Sequence, residues 1–173
     1  MGEKVLGKEH PETITSMNNL GGVFVSQKRY NEAKRILQQT VALSKKVLGE
    51  DHPDTLTSMN NFAMALNYQD RYIEAEPIFR QTLTLREASS GKEHPSTFTS
   101  MNNLALVLKN RSKYDEDESI CRLALTLRER VSGRKHPDTL TSMGALARLY
   151  QCQGKIDEAN LFSKKLLLLG RQS

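Results

Sequence analysis

Apolar positions along the chain recur with helical spacing in paired runs. Met59, Phe62, Ala63 and Leu66 follow i, i+3, i+4 and i+7, and Tyr72, Ala75, Phe79 and Leu83 follow nearly the same rule further on. Each pair predicts two amphipathic helices joined by a short turn. The pairs themselves repeat. His-Pro dipeptides fall at His10-Pro11, His52-Pro53, His94-Pro95 and His136-Pro137, 42 residues apart each time. Reading on from each dipeptide gives ETITSMNNL, DTLTSMNNF, STFTSMNNL and DTLTSMGAL, while Gly7, Gly49, Gly91 and Gly133 stand three residues before each histidine. The four units are in register, without insertion or deletion.

The punctuation of each unit has a physical reading. Proline is tolerated in a first helical turn, where its missing N–H would have no partner, so each His-Pro marks a helix start. An Asp or Glu just after it suits the positive helix end. The glycine before the next His-Pro closes the second helix by taking a left-handed conformation. In the inner turns, QKRYNEA, QDRYIEA, NRSKYDEDE and QGKIDEA, the side chains of Asn31, Asp115 and Asp157 are expected to cap the second helix, with Ile73 supplying no cap. Pro77 lies early in its helix, where it costs little. A two-helix unit buries only one face alone, so stability has to come from stacking neighbours into an α-solenoid. Ala33, Ala75 and Ala159 let helices approach closely; Asp117 stands in that column in the third unit, which is expected to pack less well.

Composition narrows the function. No stretch approaches the roughly 20 apolar residues of a membrane helix, and the first residues lack the apolar segment of a secretory signal. Two cysteines, Cys121 and Cys152, without C-x-x-C spacing fit a reducing, cytoplasmic setting. Cys121 lies in a core column, and Cys152 is expected to be a small buried or half-buried residue. All four histidines belong to the repeat column, about 10 Å apart by helix packing distances, too far to share a metal ion. The sequence has no Ser-His-Asp order, paired carboxylates or phosphate-binding glycine loop, so neither enzyme activity nor a cofactor or metal is expected. A net charge of +5, spread along the chain, suits acidic partners. Without a basic cluster or a row of exposed aromatics, nucleic-acid binding is disfavoured.

The combined string LGxxHPxT, NNLA, KYxEAE and LxLRE, carried for instance by Leu104-Ala105, by Tyr72 through Glu76 with Pro77, and by Leu85-Arg86-Glu87, resembles the tetratricopeptide repeat in its 42-residue form. That form is found in kinesin light chain and in fungal and bacterial NLR-like (NB-ARC/NACHT) signalling proteins. The resemblance implies an all-α, right-handed solenoid: one array over residues 1–173, with 1–10 the tail of a preceding repeat and units at 11–52, 53–94, 95–136 and 137–173. The tail is suggested because KVLGKEH at Lys4–His10 matches KVLGEDH at Lys46–His52. Departures are Gly144-Ala145 in place of an Asn pair, Asp117 for Ala and Ile156 for Tyr. Leu166 to Leu169, followed only by GRQS, leave the end apolar without a polar capping helix, and motivate self-association through the array ends.

The resemblance further implies that the first helix of each unit lines a concave groove holding an extended peptide. The matching columns are Thr15, Asn18, Gly22, Val25 and Ser26; Thr57, Asn60, Met64, Asn67 and Tyr68; Thr99, Asn102, Leu106, Lys109 and Asn110; and Thr141, Gly144, Arg148, Gln151 and Cys152. An amide both donates and accepts, so the row Asn18, Asn60 and Asn102 can grip a peptide backbone regardless of its sequence. The alternative has these residues facing water while Asn19, Asn61 and Asn103 bond the neighbouring helix. Lys109 and Arg148 make the C-terminal half of the groove more basic, favouring a ligand with Asp, Glu or phosphate, although a solvated cation on any helix has the same signature. The leading expectation is a non-enzymatic scaffold that binds an extended acidic segment of a protein partner. The alternative is a self-assembling or spacer region of a larger signalling protein.

Overall fold

Each His-Pro pair opens a helix by the same device. In the computed structural model, which describes residues 10–170, the histidine Nδ1 accepts a hydrogen bond from the backbone N–H two residues on. The donors are Glu12, Asp54, Ser96 and Asp138, each at 3.2 Å from His10, His52, His94 and His136 respectively. The ring thus satisfies one of the orphan donors of a helix N-terminus, and proline removes another. The helices so started are α1 (Pro11–Ser26), α3 (Pro53–Asn67), α5 (Pro95–Asn110) and α7 (Pro137–Cys152). They alternate with α2 (Tyr30–Leu48), α4 (Tyr72–Ser90), α6 (Tyr114–Ser132) and α8 (Ile156–Gly170). Among the described residues there is no strand. Gly49, Gly91 and Gly133 follow the second helices with φ of 98°, 90° and 84°, the left-handed stop the spacing predicts.

The inner turns depart from expectation. Asn31, Asp115 and Asp157 do not cap α2, α6 and α8; these helices begin one residue earlier, placing all three inside the first turn. The cause is a column of left-handed residues, Lys28, Asp70, Ser112 and Gly154, which reverses the chain quickly. The backbone then closes the turn on itself: Arg29, Arg71, Lys113 and Lys155 donate their N–H to Phe24, Leu66, Leu108 and Tyr150 carbonyls at 2.8 to 3.0 Å. Asn31 instead accepts a hydrogen bond from Gln69 at 2.8 Å. Pro77 sits within α4, which continues through it.

The described residues form two compact units, one ending at Ser89 and the other starting at Ser90. In the first, α2 packs against both α1 and α3. Ala33, Leu37 and Ala65 are fully buried there, with Phe24, Val25, Ile36 and Phe62 closing around them. Full burial of a side chain the size of Leu37 contributes about 1.5–3 kcal/mol. In the second unit, α6 packs against α5 and α7, and α7 against α8. Its core holds Leu125, Met143, Leu146, Leu149, Tyr150 and Ala159. Leu166 and Leu169 pack onto that core, whereas Leu167 and Leu168 are 62% and 57% exposed. The reading of Lys4–His10 as the tail of an earlier repeat lies outside the described residues, apart from His10.

Candidate functional site

The first helices carry the candidate groove columns, and the two units treat them differently. In the first unit Asn18 is buried and its Nδ2 donates to Ser58 Oγ on α3 at 2.8 Å, joining successive first helices. Asn60 and Asn67 are also buried. Tyr68, at the end of α3, stacks on Tyr30 with ring centroids 5.5 Å apart and remains 44% exposed. In the second unit Asn102, Lys109, Asn110, Arg148 and Gln151 are all exposed. Cys152, expected to be buried or half-buried, is exposed as well, because it ends α7 on the side away from the core.

Three of these residues meet in one place. A cleft of about 330 Å³ opens between α5 and α7 above α6, and Asn102, Lys109 and Arg148 line it. Its apolar lining comes from Ala105, Leu106, Ala145 and Leu149, and its floor from Asp117, Cys121 and Arg128 of α6. At the column where the other units have Ala, Asp117 brings a carboxyl 3% exposed, and Cys121 Sγ donates to it at 3.2 Å. Burial raises the Asp117 pKa against the opposing pull of the Cys121 hydrogen bond and of Lys109. Burial, with Asp117 beside it, pushes the Cys121 thiol up to about 12; it stays protonated and is a poor nucleophile.

Arg128 was not legible as a site residue. Its column holds Ser44 and Arg86 in earlier units, and both of these are buried as well. In the structure Arg128 is only 8% exposed. Its Nη1 donates to Ser142 Oγ at 2.6 Å and to the Asp138 carbonyl at 3.1 Å, and its guanidinium lies 5.0 Å from the Phe98 ring centroid. The usable signal was its spacing: it falls four residues after buried Ala124, on the apolar face of its helix.

A second polar cluster closes the far end of the same unit. Glu118 accepts from Tyr150 OH, Lys155 Nζ and Arg122 Nε, each at 2.9 Å. Burial alone would raise its pKa, but these three donors outweigh it and hold the carboxyl at about 2.

Repeated two-helix units of 42 residues, capped and packed in this way, define a helical-repeat protein. The tetratricopeptide repeat model matches residues 1–46, 23–88, 59–116 and 96–167, and the chain belongs to the tetratricopeptide repeat family. Among solved structures it is similar to a Podospora anserina protein, described as a kinesin light chain with nearly identical TPR-like repeats. For the Q17M form of that protein the identity is 26%, over 98% of this chain and 80% of the other, with a TM-score of 0.87. A second structure of that protein gives 26% identity over the same shares and a TM-score of 0.85. BtubC (BKLC) from P. vanneervenii shares the fold at 18% identity, over 96% of this chain and 66% of the other, with a TM-score of 0.84. No curated protein sequence matches the chain.

Proposed function

We propose that this chain is a non-enzymatic protein-interaction scaffold that binds an extended acidic segment of a partner along its first helices, in the cytoplasm. Tetratricopeptide repeats commonly mediate protein–protein interaction, and the family assignment supports the coarse part of this reading. The finer part is carried by one observation: the α5–α7 cleft gathers Asn102, Lys109 and Arg148 in one place. An exposed amide beside two cations suits a peptide that presents backbone carbonyls and carboxylates together. Contacts therefore concentrate in the second unit, with Asn110 and Gln151 exposed nearby in sequence. In the first unit Tyr68 offers an exposed ring, while Asn18, Asn60 and Asn67 serve chiefly within the packing.

Selection from a random peptide library on the wild-type chain, counter-screened on Lys109→Gln/Arg148→Gln at two salt concentrations, tests this. An acidic motif that weakens with salt and disappears in the variant supports the reading. No enrichment by a chain of native circular dichroism overturns it.

The second reading, self-association, is favoured by a different observation. Leu161, Leu167 and Leu168 leave α8 with exposed apolar side chains, 50% to 62% accessible. Sedimentation at increasing concentration decides it: a strictly monomeric chain removes it, and association abolished by Leu167→Lys/Leu168→Lys sustains it.

A further inference from the structure

The least expected group in the molecule is the guanidinium of Arg128. It is nearly enclosed, always charged at physiological pH, and has no carboxylate within ion-pair distance among the described residues. The Asp138 carboxylate acts on it only from further away, and burial lowers its pKa. One nitrogen is occupied by Ser142 and the Asp138 carbonyl, and the guanidinium lies over the Phe98 ring. Its Nε–H and Nη2 make no hydrogen bond within the described residues. A buried cation left in this condition is costly, and a bound anion would relieve it.

The surroundings specify that anion. Arg128 opens onto the α5–α7 cleft together with Lys109 and Arg148, so three cations share one lining. The only carboxyl there, Asp117, is buried, and burial raises its pKa, which lessens its opposition to an anion. The hydroxyls of Thr141 and Ser142 are committed to the Pro137 and Asp138 carbonyls, which leaves the cations as the anion's donors, and the apolar wall at Ala105, Leu106 and Ala145 leaves room for a stem. The volume lies at the small end of ligand-binding sites. A single carboxylate would leave most of this positive charge uncompensated, whereas a phosphate dianion matches it and offers oxygens for the fork of an arginine.

We propose that the α5–α7 cleft is a phosphate-monoester site, with Arg128 as its buried anchor and Lys109 and Arg148 at its mouth. The phosphate is either free or carried on a phosphorylated side chain of a bound segment; only the second source rests on the proposed function.

Nuclear magnetic resonance of the intact chain with labelled arginine tests the site directly. Inorganic phosphate, titrated at constant ionic strength, is expected to move the Arg128 Nε–H resonance saturably and leave that of exposed Arg35 on α2 in place. Free phosphoserine is expected to bind more tightly than inorganic phosphate if the stem occupies the apolar wall, and equally if only the head is held; both outcomes support the site and separate its sources. Arg148→Gln, at an exposed position, is expected to weaken binding about tenfold, the scale of one charge-assisted hydrogen bond. An Arg128 resonance unmoved by phosphate in the folded chain overturns the proposal. So does acetate or glutamate binding as tightly as phosphate. Failure of the peptide selection with phosphate still bound at Arg128 would remove the peptide reading alone.

Discussion

Tyr150 donates its hydroxyl to Glu118 Oε1 at 2.9 Å, tying the first helix of the fourth repeat to the second helix of the third. The ring itself is fully buried, and the guanidinium of Arg122 and the ammonium of Lys155 each lie 5.6 Å from its centroid. One carboxylate thus organises an aromatic and two cations from α6, α7 and the turn that precedes α8. Burial, and then its hydrogen bond to this carboxylate, push the Tyr150 hydroxyl up to about 12, against the pull of Arg122.

This cluster makes stability depend on acid in a definite window. Folding lowers the Glu118 pKa from 4.5 to about 2, so the unfolded chain takes up the proton first as pH falls. The contribution is complete above 4.5 and is lost as pH drops toward 2. Thermal melts across that range should show a smaller acid-induced fall for Glu118→Gln than for the wild type, alongside a lower melting temperature at neutral pH. Tyr150→Phe, with one hydrogen bond removed, should lose about 1 kcal/mol at neutral pH.

Asp117 behaves with the opposite sign. Its folded pKa is raised by burial, so its contribution is fully present below the unfolded value of 3.8 and is lost as pH rises through the folded pKa. Asp117→Asn, of nearly equal shape, should therefore match the wild type in acid and exceed it in stability at neutral pH. Melting temperatures of the two proteins that stay parallel from acid to neutral pH would refute this account.

Two adjacent glycines of α1 should answer the same substitution in opposite ways. A Cβ on Gly21 would lie 2.5 Å from Leu37 Cδ2 and 2.6 Å from its Cγ, and Leu37 is fully buried with nowhere to move. Gly21→Ala should cost about 1–3 kcal/mol by overpacking, offset in part by helix propensity. A Cβ on Gly22 meets nothing, so Gly22→Ala should gain about 0.8–1 kcal/mol. Chemical denaturation of both variants checks the contrast, and Gly21→Ala/Leu37→Ala should cost less than the two single changes added together.

The inner turn stores a small strain that can be released. Ser112 holds φ of 56°, in the column where the fourth unit already uses Gly154 at 72°. Ser112→Gly should stabilise the second unit by about 0.5–1 kcal/mol, the left-handed cost removed less the entropy gained by the unfolded chain. A lowered melting temperature for this variant would contradict the reading.

The sequence by itself determined the helices, their pairing and their period. These depend on local chemistry: an apolar face of period 3.6, proline in a first turn, and glycine where a helix must stop. Even the four histidines were placed at helix starts by their column, although their role as acceptors for a free N–H of the first turn needed the backbone geometry. The Ala column at 33, 75 and 159 likewise predicted close helix contact, and all three are buried. What only the tertiary structure decided is which members of equivalent columns reach solvent. Asn18 and Asn102 occupy the same place in the repeat, yet the first donates to Ser58 while Arg128 takes up Ser142, the corresponding hydroxyl one repeat on from Asn102. Whether an amide faces a ligand or a neighbour depends on the side chain arriving from another helix. That competition is settled by packing across 14 to 40 residues, beyond the reach of a local pattern.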